Sequence, residues 1–200
     1  GMGKSTTLKT VMGLLKPRSG KVVFDGKDVT GLRPHKVARA GIGYVPEERR
    51  IFPNLSVLDN LMMGVKGGRI DASIADGWTI ERIFDHFPFM RDRTNQKGAL
   101  LSGGEQQMLT IGRTLMGNPK LLMVDEPTEG LSPVMVKEVR DVLEQISKSG
   151  ISILLVEHNL QVAMSLADRV YLMGKAHLGF TGTKAELDAN PEMRAKYLEV

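Results

Sequence analysis

The sequence lacks cysteine entirely and contains only four histidines, at positions 35, 86, 158 and 177, among its 200 residues. Without cysteine the chain can form neither disulfide bonds nor thiolate-bound metal sites. The histidines lie far apart in sequence. This composition is compatible with a reducing cytosolic compartment but does not establish one.

Long apolar runs and a strong excess of one charge are also missing. The longest apolar run, at 151–156, is far shorter than the roughly 18 residues of a membrane-spanning helix and is typical of a buried strand. Lys and Arg number 27 against 23 Asp and Glu, which gives a net charge of +4 and a pI of about 9.3. Because these charges are spread along the chain, they indicate no particular partner among nucleic acids, acidic lipids and phosphates.

The chain has enough apolar residues, 42%, for one well-cored domain. Its second half alternates helices with apolar strands, a pattern typical of a parallel sheet covered on both faces. A helix is expected to follow residue 101. Beyond it, the predicted strands are 120–126, 151–157 and 169–173, and the predicted helices are 133–148 and 159–167, the first of these capped by Ser132.

The first half predicts a different succession of elements. The apolar residues of 5–16 have helical spacing, and the predicted helix ends before Pro17. Two strands joined by an Asp-Gly turn are predicted at 21–29, and a short buried strand is predicted at 41–45. Residues 47–100 contain the only tryptophan and four of the six phenylalanines, and helical patterns dominate there. We therefore expect a single domain over 1–200, in which 1–46 and 101–200 form an α/β core and 47–100 form a helical insert.

The opening segment GMGKST predicts a phosphate-binding loop. In such a loop the backbone N–H groups of a glycine turn and a helix N-terminus surround phosphate, while Lys4 reaches its oxygens and Ser5 holds Mg²⁺. The full motif has another glycine five places before Gly3, which falls before residue 1. The alternative is a flexible glycine-rich terminus followed by an ordinary helix.

The segment LLMVDEP, at 121–127, is a buried strand that ends in two acids. A parallel sheet presents such carboxylates at its C-terminal edge. Asp125 is then a candidate for orienting Mg²⁺, and Glu126 for polarising an attacking water. Alternatively, the strand simply ends in a polar loop.

The segment LLSGGEQQ combines a helix cap with two glycines. Ser102 and Glu105 satisfy the capping-box spacing, so a well-capped helix is the simplest interpretation. The cap does not require Gly103 and Gly104, which cost helix stability and leave backbone N–H groups bare at a positively polarised end. We therefore favour a second anion-binding site.

Together, the segments GMGKST, YVPEE, LSGGE, LLMVDE, EGLSP and VEHN resemble, in type and order, the motifs of the ATP-binding subunits of ABC transporters. The resemblance covers nearly the whole chain. It implies a P-loop NTPase-type α/β core with a mainly parallel sheet and an inserted helical subdomain. It also implies ATP and Mg²⁺ as ligands.

The resemblance also implies roles for individual residues. Glu126 corresponds to the general base and His158 to the histidine that contacts the γ-phosphate, although a lone histidine after a strand is more often buried or capping. The implied Mg²⁺ ligands are Ser5, Glu47 and Asp125. The implied nucleotide-binding residues are Gly1, Gly3, Lys4, Ser5 and Thr6, with Ser102, Gly103, Gly104 and Glu105 completing the site of a neighbouring subunit.

Three positions depart from the family pattern. Glu47 stands where the family has glutamine, which adds a negative charge beside phosphates. Glu105 also replaces a usual glutamine, and EGLS replaces the commoner ALD after the Asp-Glu pair. The last change puts communication between subunits in doubt.

Family members have further strands and an adenine-stacking aromatic ahead of the glycine loop. The resemblance therefore implies that N-terminal strands of the domain are missing from this chain. For a polypeptide whose N-terminal residue is Gly1 we expect weak nucleotide binding and poor stability.

Among ABC proteins, residues 24–61 are most similar to branched-chain amino-acid uptake ATPases, particularly the shorter of their two subunits. The implied function is ATP hydrolysis that powers import of branched-chain or other hydrophobic amino acids. The alternatives are a urea or amide importer and a soluble, non-transport ABC ATPase, which would need tandem cassettes or a coiled coil. Neither feature is visible in the sequence.

The implied partners follow from transport. They are a second ATPase subunit, identical or related, the transmembrane permease subunits and, indirectly, an extracytoplasmic substrate-binding protein, with no nucleic acid. The implied location is the cytoplasmic face of the cell membrane. The phenylalanines of 47–100 are expected mainly in the core of the insert, with a partly exposed docking patch as the alternative.

Overall fold

The computed structural model describes residues 3–66, 77–174 and 177–193. None of the helices in these ranges is both long and apolar enough to cross a membrane. The helices are α1 (Lys4–Val11), α2 (Pro34–Ala40), α3 (Val57–Met62), α4 (Ile80–His86), α5 (Pro88–Asp92), α6 (Gly103–Leu115), α7 (Pro133–Lys148), α8 (Leu160–Leu166) and α9 (Lys184–Asp188). The strands are β1 (Val23–Phe24), β2 (Lys27–Asp28), β3 (Ile42–Val45), β4 (Leu121–Asp125), β5 (Ser152–Val156), β6 (Arg169–Gly174) and β7 (His177–Thr183).

The centre of the fold is a parallel sheet in the order β3-β4-β5. Its register pairs Tyr44 with Met123, and Met123 with Leu154. Along β4 the side chains alternate between two apolar clusters, because successive residues of a strand point to opposite faces. The predicted parallel sheet is confirmed for these three strands.

Each face of this sheet is covered by helices. Met123 belongs to a cluster with Leu8 of α1 and Val37 of α2. Its neighbours Leu122 and Val124 belong to the other cluster, which contains the buried residues of α6 and α7. The result is a three-layer arrangement that holds the C-terminal end of β4 next to the start of α1.

The predicted strand at 169–173 forms β6, but it does not join the parallel sheet among the described residues. It pairs antiparallel with β7, with Gly174 opposite His177. Two strands joined by so short a connection pair with each other as a hairpin, whereas parallel pairing needs a crossover. The expectation of a parallel position for this strand was therefore wrong.

Helix α1 ends earlier than its apolar spacing predicted. Residues 5–16 were expected to be helical, and the helix stops at Val11. Gly13 adopts a left-handed conformation, with φ +76°, and a Cβ on it would collide with the carbonyl oxygen of Leu32. Close packing against the segment before α2 therefore ends the helix, as a C-terminal glycine commonly does.

The described part of 47–100 is helical, as predicted, and contains α3, α4, α5 and a short 3-10 helix at Gly98–Leu100. Phe87 is 1% exposed, and Phe84 and Phe89 pack against the same cluster as α6. Phe52 is 42% exposed. Three phenylalanines thus agree with a place in the core of the insert, and one agrees with an exposed docking patch. The division of the domain into an α/β core and a helical insert stays a prediction.

Helix α7 has the predicted bounds. Ser132 caps it by accepting a hydrogen bond from the backbone N–H of Met135. Its buried residues are Val139, Val142, Leu143 and Ile146, which lie on one face of the helix.

Candidate active site

The start of α1 is an open, positively polarised helix terminus. Gly3 precedes the helix with φ +86°, and a Cβ on it would meet nothing within 4 Å. The first turn has no capping side chain and no acidic residue. Its first backbone N–H groups lack helical partners, so this end is suited to bind an anion.

Lys4, Glu126 and His158 form one cluster beside this terminus. The Lys4 Nζ lies 3.7 Å from Glu126 Oε1 and 3.1 Å from His158 Nδ1. The His158 Nε2 lies 2.8 Å from the same Glu126 oxygen. Residues separated by 154 positions in sequence thus meet because β4 and β5 end side by side above α1.

His158 lies between a cation and an anion. Its ring nitrogens Nδ1 and Nε2 lie 3.1 Å and 3.3 Å from the Lys4 Nζ, and Nε2 also faces the Glu126 carboxylate. The imidazole therefore links the Lys4 ammonium to Glu126.

Glu126 is strained and nearly buried. Its φ is +47°, a left-handed conformation that is unusual for glutamate, and its side chain is 9% exposed. Its backbone N–H still donates to the carbonyl of Val156, which extends the pairing of β4 with β5 by one residue. Such strain is typical of functional positions that the surrounding fold holds in place.

Burial raises the pKa of the Glu126 carboxyl above its ordinary value of 4.5, and a hydrogen bond with Glu129 raises it further. The charges of His158 and Lys4 lower it, without cancelling the shift. A carboxylate with a raised pKa is a better proton acceptor than an ordinary one. This is the property required of a general base.

Asp125 lies under the start of α1 and is fully buried. Ser5 Oγ donates to its Oδ1 at 3.0 Å, and the Tyr44 hydroxyl donates to its Oδ2 at 3.1 Å. A serine hydroxyl and a carboxylate oxygen are the hard oxygen ligands that Mg²⁺ prefers. The donor set of Ser5 and Asp125 therefore fits the implied metal.

The third implied metal ligand, Glu47, groups with other acids. Its carboxylate, with those of Glu126 and Glu129, places oxygens within 4.8 Å of one another. Glu47 and Glu129 are exposed. The structure thus brings Glu47 to the Glu126 side of the cluster and does not pair it with Ser5.

The residues Ser102–Glu105 form the predicted capping box. The Ser102 hydroxyl accepts from the backbone N–H of Glu105, and the Glu105 carboxylate accepts from the backbone N–H of Ser102 at 2.8 Å. Among the described residues, none of their contacts is with the Lys4 cluster. Their separation from it agrees with the expectation that they serve a neighbouring subunit and does not test that expectation.

Long side chains pack against the first two glycines of α6, a contact that the sequence did not reveal. A Cβ on Gly103 would lie 2.6 Å from the guanidinium of Arg49, and a Cβ on Gly104 would collide with Met135. Arg49 in turn donates to the carbonyl of Glu129 at 3.4 Å. Arg49 thus links the start of α6 to the loop that follows Glu126.

Two of the implied nucleotide-binding residues have no described contact with the Lys4 cluster. Gly1 lies outside the described residues. Thr6 is exposed on the face of α1 that lines an open cleft of about 340 Å³ together with Thr10 and Lys21.

Sequence reasoning missed four residues that shape this site. A carboxylate oxygen of Glu129 lies within 4.8 Å of one of Glu126, and the Tyr44 hydroxyl donates to Asp125. Thr128 donates to Glu157, whose carboxylate also accepts from the backbone N–H of His158. Tyr44, Glu129 and Glu157 stand in the motifs YVPEE, EGLSP and VEHN, which was the available signal. Thr128 lies two residues after Glu126. Hydroxyl and acidic residues are too common there for the sequence alone to assign them a role.

Comparison with known proteins connects this geometry with one family. The ABC transporter family model matches residues 1–129. The high-affinity branched-chain amino acid transport ATP-binding protein BraG of Pseudomonas aeruginosa is 39% identical over 200 residues, covering 99% of this chain and 84% of that protein. The lipopolysaccharide export system ATP-binding protein LptB of Escherichia coli is 33% identical over 207 residues, covering 99% and 82%.

A solved structure shows the same fold. The ADP conformation of MJ1267, an ATP-binding cassette of an ABC transporter, superposes with a TM-score of 0.81 at 27% identity and covers 99% of this chain and 82% of that one. The chain belongs to the ABC transporter family, as an ATP-binding domain whose activity is ATP hydrolysis coupled to transport.

Proposed function

We propose that the chain is the ATPase subunit of an importer of branched-chain or other hydrophobic amino acids. Its resemblance to BraG, and to a probable branched-chain amino acid transport ATP-binding protein of Archaeoglobus fulgidus at 38% identity over 196 residues, supports this substrate class. Permeases and a second ATPase subunit are the proposed partners, and the cytoplasmic face of the membrane is the proposed location.

The observation that carries the catalytic part is the cluster of Lys4, Glu126 and His158 beside the open start of α1. The backbone N–H groups of α1 and the Lys4 ammonium bind the phosphates of ATP. Glu126 Oε1 accepts a proton from water, which its raised pKa favours. His158 holds Glu126 on one side through Nε2.

Ser5 and Asp125 are the residues proposed to hold Mg²⁺, with Glu47 as a more distant candidate. When bound, the metal neutralises charge on the phosphates. Asp125 is held from two elements, so its oxygens are oriented before any metal arrives. Such preorganisation reduces what the site must rearrange on binding.

The second wall of the nucleotide site is proposed to come from a neighbouring copy or a related chain. Its Ser102, Gly103 and Gly104 present another helix N-terminus to the γ-phosphate. The positive guanidinium of Arg49 beside Gly103 adds to the attraction for an anion. ATP then joins the two subunits, and hydrolysis separates them because the bridging charge is lost.

The first experiment replaces Glu126 by Gln in the full-length protein. The variant lacks the base but keeps the phosphate-binding groups, so it should retain ATP, lose at least about a hundredfold in hydrolysis rate and form a stable ATP-bound dimer. Gel filtration with and without ATP measures the dimer. Glu144→Gln, on the exposed side of α7, is the matched control and should behave as wild type.

A Glu126→Gln variant that binds ATP but stays monomeric would contradict the proposed closure. Hydrolysis at the wild-type rate would contradict the role of Glu126. Either result leaves membership of the family untouched.

The transported substrate needs a separate experiment, since the similarity to LptB supports an export role as a second candidate. The full-length chain is purified from membranes with its partners, and the complex is reconstituted for uptake of labelled leucine, with urea as the comparison. Leucine uptake that depends on ATP supports the proposal. Partners of an export system, or selective urea uptake, would refute the amino-acid assignment.

A further inference from the structure

The Asp125 carboxylate is held by one hydroxyl on each oxygen. Its side chain is fully buried, Ser5 Oγ donates to Oδ1 at 3.0 Å and the Tyr44 hydroxyl donates to Oδ2 at 3.1 Å. A buried carboxylate is costly unless its oxygens accept hydrogen bonds. Each hydroxyl therefore offsets part of the cost of burying this acid and fixes the orientation of one oxygen.

The strand register explains why Tyr44 reaches Asp125. Tyr44 on β3 lies beside Met123 on β4, and Asp125 lies two residues beyond Met123. Residues two apart on a strand share a face, so Tyr44 and Asp125 lie on the same side of the sheet as α1. The long phenol bridges from one strand to the end of the next.

The two hydroxyls differ in what else they do. Ser5 belongs to the first turn of α1 and is itself a proposed metal ligand. Tyr44 belongs to a strand of the sheet and contacts the opposite oxygen of the carboxylate.

We propose that Tyr44 is a positioning residue that orients the Asp125 carboxylate, through Oδ2, so that Oδ1 faces the Ser5 side where the divalent cation binds. The inference rests on the proposed metal role of Ser5 and Asp125. It gives a role to Tyr44, to which the sequence analysis assigned none. Tyr44 acts through Asp125 and touches neither nucleotide nor metal.

The test is Tyr44→Phe in the full-length protein, which removes one oxygen and keeps the ring. Affinity for a fluorescent ATP analogue is measured in Mg²⁺ and again in EDTA, and the ratio of the two dissociation constants is compared between variants. The ratio cancels any general loss of stability. We call the gain in ATP affinity from EDTA to Mg²⁺, which this ratio measures, the Mg²⁺ enhancement. Losing an outer partner of a metal ligand commonly costs 10- to 100-fold in metal affinity. We therefore expect the Mg²⁺ enhancement of Tyr44→Phe to be about tenfold smaller than that of the wild type.

The controls separate this inference from the proposed function. Tyr171→Phe removes a hydroxyl from a tyrosine that is 52% exposed on β6 and should change nothing. Asp125→Asn should abolish the Mg²⁺ enhancement. If it does not, the proposed metal site is wrong and the role of Tyr44 falls with it.

If Asp125→Asn abolishes the Mg²⁺ enhancement as expected, the proposed metal site stands. Two outcomes for Tyr44→Phe would then overturn the role of Tyr44. One is an unchanged Mg²⁺ enhancement. The other is an equal loss of affinity in Mg²⁺ and in EDTA, which would indicate a purely structural tyrosine. Thermal unfolding without ligand is recorded for each variant, and a lower melting temperature with an unchanged enhancement likewise counts against positioning.

Discussion

Glu126 shows how much one residue depends on its surroundings. It has a left-handed backbone, a nearly buried carboxyl and a raised pKa, yet it contacts both Lys4 and His158. Burial and the neighbouring Glu129 together outweigh the favourable effects of Lys4 and His158 on the charged form, so the pKa of Glu126 is raised. The protein thus keeps a carboxylate in a position where its charge is costly, which is consistent with a site selected for reactivity.

This cost predicts a pH-dependent gain in stability for Glu126→Gln without nucleotide or metal. The folded protein binds the Glu126 proton more tightly than the unfolded chain, so wild-type stability falls as pH rises from 4.5 through the raised pKa. The glutamine of the variant does not ionise, so the variant does not lose stability in this way. Its free energy of unfolding in urea should exceed that of wild type at neutral pH, and the two should converge near pH 4.5.

Glu144→Gln serves as the comparison, since this side chain is exposed on α7. A pH-independent difference between Glu126→Gln and wild type would show that the amide acts through packing and not through the missing charge.

A second prediction at this scale concerns the link between the loop after Glu126 and the turn that contains His158. Thr128 donates to Glu157 at 2.9 Å, and Glu157 accepts from the backbone N–H groups of His158 and Asn159. Thr128→Val removes the connecting bond and leaves Glu157 short of a donor. We expect a several-fold lower kcat with little change in KM, measured by steady-state ATP hydrolysis.

Thr94→Val is the control for Thr128→Val, because Thr94 also donates to backbone carbonyls, at 2.7 Å and 3.1 Å, but far from this turn. Equal effects of the two variants on kcat would show that the loss reflects stability alone.

At the scale of elements, α6 combines a capping function with a proposed binding function. Its capping box at Ser102 has a close counterpart at Thr183, which caps α9 with Glu186 in the same way. The two helices therefore allow the two functions to be separated. Only the first cap is followed by a pair of glycines.

Ser102→Ala and Thr183→Ala should each cost about 1 kcal/mol in the free energy of unfolding, since each removes one cap. Only Ser102→Ala should also weaken ATP-induced dimerisation, because its hydroxyl is proposed to face the partner's nucleotide. Chemical denaturation and analytical ultracentrifugation measure the two quantities. Equal dimerisation in both variants would remove Ser102 from the proposed interface.

At the scale of the whole molecule, the exposed Phe52 is the strongest candidate for contact with a permease. Its ring is 42% exposed and lies 5.1 Å from the Arg113 guanidinium. Arg113 also donates to the carbonyl of Arg50 at 2.7 Å. A contact made at Phe52 would thus be coupled to the segment that contains Glu47.

Phe52→Ser should reduce the recovery of permease with the tagged full-length chain by several-fold, because burying an aromatic ring contributes about 2 kcal/mol. Its basal ATP hydrolysis should stay at the wild-type rate. Leu178→Ser, at a residue 57% exposed on β7, is the control. Undiminished recovery with Phe52→Ser would show that the permease binds elsewhere.

Sequence reasoning recovered those parts of the fold that depend on local pattern. The bounds of α7 and the strands β3, β4 and β5 follow from apolar periodicity and caps. It failed for the pairing of β6, which depends on its neighbour β7, and for the end of α1, which Gly13 and Leu32 determine by close packing. Both failures involve contacts between segments that no local pattern encodes.

The sequence by itself determined the family, the succession of most helices and strands, and the identities of Lys4, Asp125, Glu126 and His158 as candidates, because ordered motifs carry that information in residue type and spacing. Only the tertiary structure decided that Lys4 and His158 meet at Glu126, that Tyr44 holds Asp125, and that Arg49 lies against Gly103. Those contacts join residues from different strands and loops, and they arise from the register of the sheet and the layers of helices packed on it.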